Sequence, residues 1–126
     1  MRRAVAVLTT LWLLTGCGVF GPKGPGSVSG RVEAQGVDLS GAVLQVNGTG
    51  IRGFSAAGGS LVYSRVQGQG DSWRVVLVNP DGAGLDFKVE VEDVASASPS
   101  AIVFDAADVS NQPVDPSANV HVSFGQ

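Results

Sequence analysis

From Leu85 to Glu92 the chain reads Leu-Asp-Phe-Lys-Val-Glu-Val-Glu, apolar at every odd position and charged at every even one. Successive side chains of a β-strand point to opposite faces, so this pattern gathers the apolar groups on one side and the charges on the other. On a helix the same residues would be scattered around the axis. The segment is therefore predicted to be a strand with one face buried and one face wet. Asn119–Phe124 repeats the pattern with Val120, Val122 and Phe124 inward, and Arg31 and Glu33 flank Val32 in the same way. Sustained helical periodicity is absent. Three further stretches are apolar on both faces and are predicted to occupy central positions: Leu61-Val62-Tyr63, Trp73–Val78 and Ala101-Ile102-Val103-Phe104. Turn signals recur every ten or so residues, among them Asn47-Gly48, Gly58-Gly59, Asn79-Pro80-Asp81-Gly82 and Ser98-Pro99-Ser100. Short strands at that spacing predict an all-β fold, an antiparallel Greek-key β-sandwich of about seven or eight strands, with a barrel as the alternative closure.

The N-terminus has a different character. Met1-Arg2-Arg3 is followed by an apolar run, Ala4 to Leu14, interrupted only by Thr9 and Thr10. That order is the anatomy of a secretory signal. The run is about half of the roughly 20 apolar residues a membrane-spanning helix requires, which argues against a permanent transmembrane anchor. It ends in Leu14-Thr15-Gly16-Cys17, and Cys17 is the only cysteine. These four residues resemble the lipobox of bacterial lipoproteins. The resemblance implies cleavage before Cys17 and a diacylglyceryl group on its thiol. An ordinary signal with a chance cysteine would instead leave a lone free thiol on an exported protein. Two acyl chains give a stable anchor where one gives a marginal one, each buried CH2 contributing about 0.8 kcal/mol. The expected organisation is a signal peptide over 1–16, a lipidated Cys17 with a Gly/Pro-rich tether over 17–26, and a β-sandwich domain over 27–126. Gly18 is not the aspartate that in similar lipoproteins often retains the protein at the inner membrane. The expected address is extracytoplasmic, at the outer membrane if the cell has one.

Removing sixteen of 126 residues leaves 110, enough for one domain. The chain has 8 Lys plus Arg against 11 Asp plus Glu; Arg2 and Arg3 leave with the signal, so the mature part carries 6 against 11. Its remaining basic residues are scattered singly from Lys23 to Lys88, which argues against nucleic acid as a partner. With no cysteine pair, the hydrophobic core must hold the domain.

Residues 41–126 resemble the cohesin-like branch of bacterial β-sandwich domains. The matching stretches are Gly53-Phe54-Ser55 with Gly59-Ser60-Leu61, then Trp73–Asn79, Leu85–Val89, Ala101–Phe104 and Val120-His121-Val122. The long first strand pair and Tyr-Asp-Pro turn of cohesins have no counterpart here. The resemblance thus implies the sandwich rather than dockerin binding.

Gly48-Thr49-Gly50-Ile51-Arg52-Gly53 fits G-x-G-x-x-G, but no helix pattern follows it, and a glycine-rich hairpin is expected rather than a nucleotide site. Asn47-Gly48-Thr49 reads as an Asn-Gly turn. His121 is the only histidine and falls on the polar face of its strand. No G-x-S-x-G elbow accompanies it, and zinc lacks a ligand set. Calcium could draw on Asp105, Asp108 and Asp115, or on Asp81 with Asp86, but neither set has the alternating spacing of a calcium loop. Ordinary turn acids are expected, and Glu90, Glu92 and Asp93 are read as a wet strand face. Trp73 and Tyr63 are expected to pack in the core.

No catalytic residue, cofactor or metal is assigned. The expected function is a membrane-anchored, non-catalytic binding or adhesion module for a protein or polysaccharide of the cell envelope. A structural envelope lipoprotein without a specific ligand is the alternative, and a hydrolase is the least favoured class.

Overall fold

The structure, a computed structural model, describes residues 24–68 and 70–125. The predicted signal peptide, Cys17 and most of the tether lie outside the described residues. Among the described residues nine strands form: β1 (Gly26–Ala34), β2 (Leu39–Asn47), β3 (Ile51–Ala56), β4 (Leu61–Gln67), β5 (Ser72–Val78), β6 (Leu85–Val91), β7 (Ser100–Asp108), β8 (Pro113–Val114) and β9 (Val120–Gly125). A single helical turn, α1 (Pro116–Asn119), precedes β9.

The strands make two antiparallel sheets, β3-β6-β1-β9 and β4-β5-β2-β7-β8. Only the β4–β5 and β7–β8 connections stay within a sheet; the others cross between the layers. β2 lies beside β5 and β3 beside β6, each three strands further along the chain, which is the long-return pairing of Greek-key folds. The all-β sandwich expected from the period-two pattern is thus the observed architecture.

The core forms between the two inner faces. On β6, Leu85, Phe87, Val89 and Val91 are all buried while Lys88 is exposed, so the alternation sets the register. Across the interlayer space lie Leu44 and Val46 of β2 and Val75 and Leu77 of β5, all fully buried. Phe87 stacks edge-on against Phe124 at 6.0 Å and lies tilted to Phe54 at 6.3 Å; Phe54 in turn meets Trp73 at 5.5 Å. A line of aromatic rings therefore runs through the sandwich from β9 to β5. Trp73 packs against the core as expected, with Nε1–H donating to the Gly70 carbonyl at 3.2 Å.

Several expectations are corrected. Leu61-Val62-Tyr63 does not run through the centre of a sheet: β4 is an edge strand, and Tyr63 stands in solvent. A two-layer sandwich leaves both outer faces uncovered, so an apolar outward residue there has nothing to pack on. The end of the predicted tether is already part of the fold, since Gly26 pairs with Val91 and the Gly24 carbonyl accepts from the Val94 amide. The glycine-rich segment 48–53 is no hairpin, because β2 and β3 belong to different sheets; it is an arch between layers, turning at Thr49 and Gly50 rather than at Asn47-Gly48.

Candidate functional site

The two outer faces of the sandwich have opposite chemistry. On the first sheet, outward positions carry Arg31, Glu33, Asp86, Lys88, Glu90 and His121. Four of these groups are partnered: Arg31 Nε lies 2.7 Å from Glu33 Oε1 and 3.7 Å from Asp86 Oδ1, and the Ser55 hydroxyl donates to Glu90 at 2.7 Å. His121 is exposed on β9 opposite Glu33, as the sequence suggested.

The outer face of the second sheet is apolar over half its extent. Cross-strand register aligns Leu61, Val78, Gly41 and Ala107 in one row and Tyr63, Val76, Val43 and Asp105 in the next. Arg65, Arg74, Gln45 and Ile102 form the third row, followed by Gln67, Ser72, Asn47 and Ser100. The face therefore grades from aliphatic to polar along the strands. Leu61 is 52% exposed, Tyr63 63%, Ile102 55% and Phe104 41%. Gly41 contributes no side chain, and a shallow apolar groove runs over it between Val43, Val76, Val78 and Ala107.

A bulge shapes the far side of this face. Val43 pairs with Asp105 and the next residue, Leu44, with Val103, so Phe104 is the extra residue of β7. Bulges re-aim a side chain. Here the Phe104 ring comes to lie under the Arg74 guanidinium, 4.4 Å from its centroid, an arrangement that favours the cation electrostatically. Arg65 stands directly opposite Arg74 across the β4–β5 pair. Like charges so placed repel. Neither guanidinium forms an ion pair among the described residues.

The remaining candidates serve local structure. Asp108 Oδ1 accepts from the amides of Ser110 and Gln112, both at 2.9 Å, and closes the β7–β8 turn. Asp115 caps α1, accepting from the Ser117 hydroxyl at 2.7 Å and its amide at 3.0 Å, and these bonds hold its carboxyl below the usual aspartate range. Asp105 is exposed on the open face beside Val43, and Asp86 faces Arg31. Among the described residues, no three His, Cys, Asp or Glu side chains converge into a metal set.

Sequence reasoning missed two buried polar residues, Ser60 and Asn79. The Ser60 hydroxyl donates to the Gly84 carbonyl at 3.2 Å and accepts from the Asp86 amide at 3.1 Å. Asn79 Nδ2 donates to the same carbonyl at 2.8 Å, and its Oδ1 accepts from the Asp81 amide at 3.3 Å. Together they fasten the β3–β4 and β5–β6 connections to each other. The only sequence signal was the Asn-Pro-Asp-Gly turn. Among the described residues no helix is long and apolar enough to cross a membrane. In comparison with known proteins, no family model matches the chain, and neither a curated protein nor a solved structure matches it significantly.

Proposed function

We propose that this chain is an extracytoplasmic lipoprotein, held to a membrane by lipid on Cys17, whose β-sandwich is a non-catalytic module that binds a protein partner on the outer face of its second sheet. The carrying observation is the contrast between the faces: one is charged, with Arg31, Glu33, Asp86 and Glu90 partnered, and the other leaves Leu61, Tyr63, Ile102 and Phe104 exposed. An exposed apolar patch rimmed by polar residues is the usual mark of an interaction surface. Aliphatic side chains on a flat sheet suit a protein surface, and the two guanidiniums along one side favour a partner that presents carboxylates there. The non-catalytic reading is supported by the placement of His121 on an open strand face and by the use of Asp108 and Asp115 in their own turns. A polysaccharide is the second reading, because the exposed Tyr63 ring offers a stacking surface.

The test uses the full chain, purified in detergent and immobilised, against cell-envelope extract. Wild type and His121→Ala are expected to retain the same protein, and Ile102→Glu to lose it while keeping its β-sheet circular dichroism. Retention of that protein by Ile102→Glu would place the binding site elsewhere. Retention of carbohydrate lost in Tyr63→Ala would favour the second reading.

A further inference from the structure

We propose that β4 is a self-association edge through which two copies of this chain pair antiparallel about a two-fold axis at Ser64, joining their second sheets into one. Four strands end the two sheets, and two of them are blunted. β8 has two residues, one of them Pro113, which has no amide to donate. β3 is interrupted by a bulge between Ile51 and Gly53. β9 is the shorter of the remaining two, at six residues, and lies at a corner of the sandwich against β7 as β4 lies against β3. β4 alone offers seven consecutive residues without proline or bulge, bearing a single charge and exposing Leu61, Tyr63 and Val66. Natural edges are normally protected against pairing, so a long unprotected one points to a strand that belongs beside it.

The sequence of β4 says which strand that is. Antiparallel pairing about Ser64 sets Val62 opposite the Val66 of the second copy, Tyr63 opposite Arg65, and Leu61 opposite Gln67. In β4 the even positions face the core side, where Val62 pairs with the buried Leu77 and Ser64 with the buried Val75. The core-side sequence, Val-Ser-Val, is its own mirror image, and each exposed Val66 gains a valine neighbour. On the outer face each Arg65 gains a tyrosine ring and is drawn away from the like-charged Arg74. The chain already uses that device once, with Arg74 over Phe104. The arrangement closes at two copies, because each remaining end of the joined sheet is a blunted β8. One strand pair of this length makes a small interface, so a weak dimer is expected.

Directly opposed residues in an antiparallel pair lie within disulfide range. Ser64→Cys in the full chain, expressed in cells and oxidised with copper–phenanthroline on isolated membranes, is therefore expected to give a covalent dimer. Wild type, whose only cysteine is Cys17, and Ser123→Cys on the β9 edge set the background. Leu61→Cys and Gln67→Cys should cross-link when co-expressed and not singly. Adding Val66→Lys, at a position that is solvent-exposed in the single copy, should lower the Ser64→Cys dimer about tenfold by setting a charge against Val62. A Ser64→Cys yield no higher than that of Ser123→Cys, or cross-linking of Leu61→Cys with itself, would overturn the proposal. Cross-linking reads contacts between copies of this chain, so its failure leaves the binding-face reading standing, and loss of binding in Ile102→Glu leaves the dimer standing.

Discussion

Phe87 carries more of this fold than any neighbouring side chain, and the reasons are local. Its ring is fully buried, flanked by Phe54 and Phe124, and lies where the side chain of residue 30 would otherwise be. Gly30 of β1 is paired with Phe87, and a Cβ there would overlap the ring atoms, so the glycine serves close approach rather than turning. Phe87→Ala is expected to cost roughly 3–5 kcal/mol, as truncation of a buried aromatic does. Gly30→Ala should cost about 1–3 kcal/mol by overpacking against the same ring. Lys88→Ala, one residue along on the wet face, should stay within about half a kcal/mol. Chemical denaturation of the three variants measures all of this, and a lysine effect equal to the phenylalanine effect would mean an inverted register.

Elements show where sequence information stops. Strand existence and register at β6 and β9 were legible because alternation is a local property, written in consecutive residues. The sheet position of a strand is not local. Leu61-Val62-Tyr63 and Trp73–Val78 look alike in sequence, yet β5 lies between two neighbours and β4 has one, a difference set by which distant segments pair with them. The same limit hid the candidate face: nothing in Ala101–Phe104 announces that its outward side chains meet solvent or that a bulge turns Phe104 toward Arg74. The clasp of Ser60 and Asn79 was invisible for a related reason, since both converge on the Gly84 carbonyl from separate connections. Asn79 is 3% exposed, and Asn79→Ala strips the Gly84 carbonyl of one donor and the Asp81 amide of its acceptor. A loss of about 1–3 kcal/mol is expected. Hydrogen exchange should place the loosening at the 57–60 and 79–84 connections, and uniform loosening of both sheets would contradict the clasp.

At the scale of the whole molecule, the geometry of anchoring follows from where the fold begins. β1 starts at Gly26, nine residues after Cys17, and nine residues reach at most about 30 Å when fully extended. A lipid on Cys17 would therefore hold the sandwich within about one domain diameter of the membrane surface. The chain enters beside Val91 and Val94, at one end of the first sheet, so neither outer face is covered by its own attachment point. Both the proposed binding face and the proposed β4 contact would then depend on the anchor for their setting, since confinement near a surface raises the effective concentration of weak partners. Cys17→Ser removes the lipidated thiol while leaving every described residue unchanged. The variant is expected to lose the membrane-bound mature form and to accumulate as an uncleaved or unlipidated chain. Mass spectrometry separates these outcomes more sharply than fractionation alone, because an uncleaved apolar leader also associates with membranes. A mature form of Cys17→Ser whose mass differs from wild type by the substitution alone, with an unchanged membrane fraction, would refute lipid on Cys17 and leave the sandwich without its proposed anchor.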